Sequence, residues 1–167
     1  MATYRVWHSK VIGRVREGSS LLQICSENGE VLSSKKPLKV ILDSNFFFIP
    51  SQFAIDIFEE LGRTLNRNFE PILLSPTLTE LQLISKSKSQ KLQKQATIAL
   101  KLAMRCRRMD VEKDPKESYD DLIFRVASKK KWCVATNDRI LRRRLRKENV
   151  PVIYLRQESH LIVEGNI

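Results

Sequence analysis

At 167 residues, 42% hydrophobic and 29% charged, the sequence has the make-up of one globular domain with room for a small appendage. No apolar run approaches the ~20 residues of a membrane span, and Met1 to Lys10 lacks the apolar stretch of a secretory signal. Three widely spaced cysteines, Cys25, Cys106 and Cys133, make neither a C-x-x-C zinc pair nor a disulfide framework, so a reducing, cytoplasmic location is expected.

Residues 1–35 read as a β-rich extension. Tyr4 to Trp7 and Val11 to Val15 look like short strands, and Leu21 to Cys25 and Val31 to Leu32 flank the turn signal Asn28-Gly29. From residue 36 to 167 strands and helices alternate. Leu38 to Leu42 is a short branched apolar run, a buried parallel strand. Phe53, Ile57, Leu61 and Leu65 recur every fourth residue and predict a helix over Gln52 to Leu65. Pro71 to Leu74 is a second strand. Pro76 to Ser85 is a helix with Ser75 as its N-cap. Lys91 to Arg108 reads as a helix with Leu92, Ala96, Ala99 and Ala103 inward, and Ser118 to Lys130 as another with Leu122, Ile123, Val126 and Ala127 inward. Trp132 to Thr136 is a third strand, Asp138 to Lys147 a helix and Val152 to Leu155 a fourth strand. This order predicts an α/β domain with a mostly parallel sheet.

The charge is clustered. Thirty Lys and Arg against 19 Asp and Glu give a net +11. Eight of the basic residues lie in 85–108 and nine in 129–147, and Asp138 is the one acid in those stretches. Such clustering is the footprint of a polyanionic partner, nucleic acid first. The alternative is a set of solvated basic helix faces.

Nucleotide chemistry through a glycine-rich loop is excluded, because the five glycines form neither G-x-G-x-x-G nor a Walker A loop. His8 and His160 lie near opposite ends, without the context of a catalytic triad or a histidine metal site. Carboxylates remain. Asp43 ends the first strand, Glu80 lies on the helix after the second, Asp120 and Asp121 open a helix, and Asp138 follows the third strand. In an open α/β sheet these positions share the edge where sites form. Acids converging there call for a hard cation, Mg²⁺ or Mn²⁺, which can activate water for phosphoryl chemistry.

Structural roles are open to the same residues. Asp43 could cap the next turn, Glu80 could close a capping box with Thr77, and Asp138 could N-cap its helix. Asp120 and Asp121 could both serve a first helical turn, with Ser118 as cap. Asp120 sits on the helix face of Ile123 and Ala127, whereas Asp121 can pair with Arg125 at i,i+4. Asp120 is therefore assigned to the site and Asp121 to an auxiliary role. On the helix from Asp138 to Lys147, Arg139, Arg142, Arg143 and Arg146 share one side by spacing and Leu141 and Leu145 the buried one. The former are the expected nucleic-acid-binding residues.

Together these residues resemble the PIN domain family of metal-dependent ribonucleases. The likeness rests on Val40-Ile41-Leu42-Asp43-Ser44-Asn45, Glu80, Asp120-Asp121-Leu122-Ile123 and Thr136-Asn137-Asp138. Pro50-Ser51-Gln52-Phe53, Ile55 to Leu61 and the tail Pro151 to Gln157 are similar to archaeal relatives of the PIN endonuclease of the eukaryotic small-subunit processome. The resemblance implies a three-layer fold, a central mostly parallel sheet flanked by helices, and one or two divalent ions. It also implies hydrolytic cleavage of single-stranded RNA leaving 5′-phosphates, with ribosomal RNA precursors as the expected substrate. Asp43, Glu80, Asp120 and Asp138 carry over as catalytic metal ligands, with Ser44, Asn45, Thr136 and Asp121 in support. Ser44 stands where the family more often has Thr, and its hydroxyl can keep the same hydrogen bond. A toxin of a toxin–antitoxin pair and a non-catalytic RNA-binding assembly factor are the alternatives. A DNA-binding module has no helix-turn-helix or zinc pattern in its favour. Residues 1–35 have no counterpart in the family pattern. An RNA-binding or dimerising role is open to them, and with it a homodimer.

Overall fold

The computed structural model describes residues 24–25, 31–32 and 36–167. The chain divides into two units at Lys36–Pro37. In the first, β1 (Ile24–Cys25) and β2 (Val31–Leu32) pair antiparallel, Ile24 opposite Leu32. These are parts of the two segments expected to flank Asn28-Gly29, which itself lies outside the described residues. The strands expected at Tyr4 to Trp7 and Val11 to Val15 lie outside the described residues.

The second unit is an α/β fold built on six strands. These are β3 (Leu38–Leu42), β4 (Phe69–Leu74), β5 (Arg107–Met109), β6 (Cys133–Ala135), β7 (Val152–Arg156) and β8 (His160–Glu164). Their spatial order is β5-β4-β3-β6-β7-β8, with every pair parallel except β7 and β8. The chain winds outward from β3 through β4 to β5, then returns to the other side of β3 with β6. The gap between the carboxyl ends of β3 and β6 is thus a topological switch point, the place where open α/β sheets bind ligands.

Alternation along β3 fixes the layers. Val40 and Leu42 point into one core with Phe46, Phe47, Leu61, Leu81 and Ala99. Ile41 points into the other with Ile72, Leu122, Ile123, Val134, Leu141 and Leu145. Helices α1 (Ile49–Phe53), α2 (Ile57–Leu65), α3 (Ser75–Ser85) and α4 (Gln90–Ala103) supply side chains to the first layer. Helices α5 (Tyr119–Lys130) and α6 (Arg139–Lys147) supply the second.

Four local expectations are corrected. The helix expected over Gln52 to Leu65 is two helices, because Ala54 adopts a left-handed backbone (φ 56°) and Asp56 caps a new start through the amides of Phe58 and Glu59. The helix expected to reach Arg108 ends at Ala103, and Arg107–Met109 is an edge strand beside β4. Leu92 is not inward but 43% exposed, in the first turn after the Ser89 cap, whereas Ala96, Ala99 and Ala103 are buried as expected. Ser75 is the first residue of α3 rather than its cap; its hydroxyl accepts from the Val111 amide at 3.0 Å and ties the helix start to the segment after β5.

Candidate active site

The site is built outward from Asp43. Strand pairing brings Leu42 opposite Ala135, and the Asp43 amide donates to the Ala135 carbonyl at 3.0 Å. The Asp43 side chain is therefore held at the ends of both central strands, and the residue is 2% exposed. One carboxylate oxygen accepts from the Ser44 amide at 2.6 Å. The other accepts from Asn45 Nδ2 and from the Thr136 hydroxyl, each at 2.6 Å.

Asn45 and Thr136 are themselves held. Asn45 Oδ1 accepts the Asn137 amide at 3.1 Å, and Thr136 Oγ1 accepts the Asp138 amide at 3.1 Å. Asn137 then accepts the Leu155 amide of β7 on its Oδ1 at 2.9 Å. Asn137, which is not among the supporting residues expected from the sequence, joins three strand ends. Its only signal in the sequence is its place between Thr136 and Asp138.

Asp138 N-caps α6, its Oδ1 accepting from the Leu141 amide at 2.7 Å. Capping engages that oxygen and is compatible with a second role for the other. Glu80 forms no capping box with Thr77. Thr77 lies inside α3 with its hydroxyl buried and unpartnered, and Glu80 Oε2 is likewise buried without a hydrogen bond. Asp120 and Asp121 share the first turn of α5, which Ser118 caps. The expected Asp121–Arg125 pair does not form. Asp121 accepts from Ser118 and from Arg144 of α6, both at 2.6 Å, while Arg125 binds Glu117 at 2.7 Å. Tertiary packing of α6 beside α5 supplies a closer partner than the helix's own next turn.

The carboxylates feel one another. Burial, opposed by the Thr136 hydrogen bond and reinforced by Asp120 and Glu80, pushes the Asp43 carboxyl up to about 6. Burial also raises Glu80, with Ser44 opposing and Asp120 adding to the rise. Asp120 is raised by burial and by the charge of Asp138, against the pull of Arg144. Acidic groups held where ionisation is unfavourable mark functional sites. Among the described residues, no three such side chains stand as a ready-made metal cage. The buried, donor-free Oε2 of Glu80 and the mutually raised acids nevertheless form an oxygen-only donor set with excess negative charge. That is the chemistry a hard divalent cation satisfies.

A basic groove runs along α6, beginning at Arg139, the residue after Asp138. Arg139, Arg142, Arg143, Arg146 and Lys147 line a cleft of about 650 Å³ with Tyr154 and Glu164. The spacing argument for one shared side therefore agrees with the geometry, and Leu141 and Leu145 are fully buried opposite. The Arg142 guanidinium stacks 3.7 Å from the Tyr154 ring centroid, and Arg146 pairs with Glu164 at 3.4 Å. Arg139 and Arg143 are exposed.

An α/β sheet with a switch-point carboxylate cluster is the frame of a PIN domain, and comparison agrees. The family model described as PIN like domain matches residues 40–158, and the chain belongs to this family. It is similar to Ribonuclease VapC4 of Methanocaldococcus jannaschii, 28% identical over 77% of this chain and 98% of that protein. It is also similar to rRNA-processing protein FCF1 of Saccharomyces cerevisiae, 30% identical over 77% of this chain and 65% of the relative. A third relative, rRNA-processing protein utp23 of Schizosaccharomyces pombe, is 31% identical over 78% of this chain and 49% of its own length. The chain thus spans about two thirds and half of these two yeast proteins. The solved PIN domain endonuclease Utp24 superposes with a TM-score of 0.66 and 29% identity, covering 81% of this chain and 97% of that one. Among the described residues no helix is long and apolar enough to cross a membrane.

Proposed function

We propose that the chain is a divalent-cation-dependent endoribonuclease that hydrolyses phosphodiester bonds in ribosomal RNA precursors in the cytoplasm. The observation that carries this reading is the raised carboxylates of Asp43, Glu80 and Asp120 together with a basic groove that begins at Arg139, the residue after Asp138. Asp43, Glu80, Asp120 and Asp138 would hold Mg²⁺ or Mn²⁺, which when bound activates water and neutralises developing phosphoryl charge. Ser44, Asn45 and Thr136 fix the Asp43 carboxylate. Asp121 fixes Arg144 and so supports the approach of α6. Residues 1–35 are assigned an accessory role, in RNA contact or in pairing two copies.

The deciding experiment incubates the full chain with precursor rRNA fragments in Mg²⁺, in Mn²⁺ or in chelator. Cleavage with cation and none with chelator is the expected result. RNA binding without cleavage under every condition would instead favour an assembly factor, a reading that the presence of all four acids disfavours. The match across nearly the whole of Ribonuclease VapC4 supports ribonuclease activity, and a toxin-type ribonuclease is the second reading. Indifference to rRNA precursors, with cleavage of other RNAs at equal rate, would select it.

Two residue-level outcomes follow from the geometry. Asp120→Asn should slow cleavage strongly and Asp121→Asn far less, because Asp121 is engaged by Ser118 and Arg144 at the surface. The reverse order, read in single-turnover rates, would reassign the pair. Arg139 and Arg143 should contact phosphates. Each contact to a single strand contributes about −0.7 to the log–log salt dependence of affinity. Replacing both with Gln should flatten that slope by roughly 1.4. An unchanged slope would leave the outer face of α6 as ordinary solvated surface.

A further inference from the structure

We propose that a second cleft, on the far side of the acids from α6, is a nucleobase subsite that seats one unpaired base next to the scissile phosphate. The inference rests on the ribonuclease reading and adds a residue-level account of where the strand goes. The cleft has a volume of about 330 Å³ and is lined by Ser75, Thr79, Gln82, Arg108, Lys113 and Tyr119. That size is in the range of small-ligand sites.

Its position ties it to the centre. Tyr119 directly precedes Asp120 on α5, and Thr79 directly precedes Glu80 on α3. Ser75 follows β4 and Arg108 belongs to β5, whereas the α6 groove lies beside β7 and β8. Strand order β5-β4-β3-β6-β7-β8 therefore puts Asp43 and Asp138, at the ends of β3 and β6, between the two clefts, with Glu80 and Asp120 on the helices that line the second. A single strand held by the α6 arginines and crossing the acids arrives here next.

The lining has the chemistry of a nucleotide rather than of a phosphate alone. Tyr119 is a partly exposed aromatic ring, with Lys113 Nζ 5.3 Å from its centroid. Every base has a face that stacks on such a ring, whatever the sequence. Arg108 is held by Asp110 at 2.9 Å in an exposed pair, 61% and 78% accessible, which opens at little cost. Lys113 and Arg108 can meet the adjoining phosphate, and Thr79 and Gln82 offer hydrogen-bonding groups to a base edge.

The test measures binding of a short single-stranded RNA to the full chain in chelator, so that no cleavage intervenes. A series carries one abasic nucleotide stepped along the strand, and parallel cleavage in Mn²⁺ marks the cut. Tyr119→Phe should bind like the parent and Tyr119→Ala roughly ten-fold more weakly. In the parent, one abasic position beside the cut should cost a similar factor, and in Tyr119→Ala it should cost nothing further. Independent, multiplying losses would overturn the proposal, as would equal affinity of the Ala variant. So would a loss in Lys113→Gln without one in Tyr119→Ala, which makes the cleft a phosphate contact only. A parent that neither binds nor cleaves RNA would instead remove the ribonuclease reading beneath it.

Discussion

Asp43→Asn is expected to abolish cation-supported RNA cleavage while leaving a folded protein. Loss of an outer partner at a metal site costs about 10–100-fold in affinity or activity, and removing a central carboxylate should exceed that. The fold should survive because two opposing effects meet at this position. Asn cannot accept from Ser44 N, Asn45 Nδ2 and Thr136 Oγ1 together, since one of its terminal atoms is itself a donor. A mismatched buried group costs about 1–3 kcal/mol. Against this, Asn removes a carboxylate whose ionisation burial opposes. Single-turnover cleavage and thermal melting of the same sample separate the two. Cleavage at the parental rate in saturating Mn²⁺ would take Asp43 out of the reaction. An unfolded variant would make Thr136→Val the substitute test, because that change removes the hydroxyl's bonds to Asp43, the Asp138 amide and Asn45 Nδ2 and keeps the charge.

The centre of this fold is legible because its signals are local. Leu38 to Leu42 is apolar, branched and ended by Asp43, and the observed strand has those bounds. Ser118 and Asp138 announce their helices by capping chemistry that acts within three residues. The missed features depend on partners distant in sequence, or on backbone states that composition does not reveal. Arg107–Met109 is three residues long, basic and exposed at its first two positions, and only pairing with Ile72 to Leu74 makes it a strand. β8 follows a turn in which Gln157 and Glu158 both adopt positive φ, 50° and 57°. Hairpin turns of that kind normally announce themselves with Asn or Gly. The misjudged partner of Asp121 has the same origin. Helical spacing offers Arg125, but the packing of α6 delivers Arg144, which also lies 4.7 Å from the Phe124 ring centroid. Asn137 shows the limit most clearly, since its role depends on the amide of Leu155, 18 residues on.

The stability of the cation-free protein should fall as pH rises from about 4 to about 6, and added Mn²⁺ should restore it most at the higher pH. The Asp43 carboxyl is raised from 3.8 to about 6 in the fold. The native state therefore holds the proton more tightly than the unfolded chain, and stability is lost as pH climbs through that interval. The difference corresponds to about 3 kcal/mol, complete above pH 6. Glu80 and Asp120 are raised as well and act in the same direction. Glu70 and Glu117, lowered by Arg107 and Arg125, act oppositely, but only at pH values below the ordinary glutamate range. A cation would bind the ionised carboxylate, and with Asp43 pushed up to about 6 roughly a tenth of it is ionised at pH 5 against most of it at pH 7. Apparent affinity should therefore be about ten-fold higher at pH 7, and the stabilisation follows RT ln(1 + [L]/Kd). Melting temperatures at pH 5 and pH 7, with Mn²⁺ and with chelator, measure the effect directly. A cation-induced shift that is the same at both pH values, or that persists in full in Asp43→Asn, would mean that the cation binds somewhere other than this carboxylate cluster.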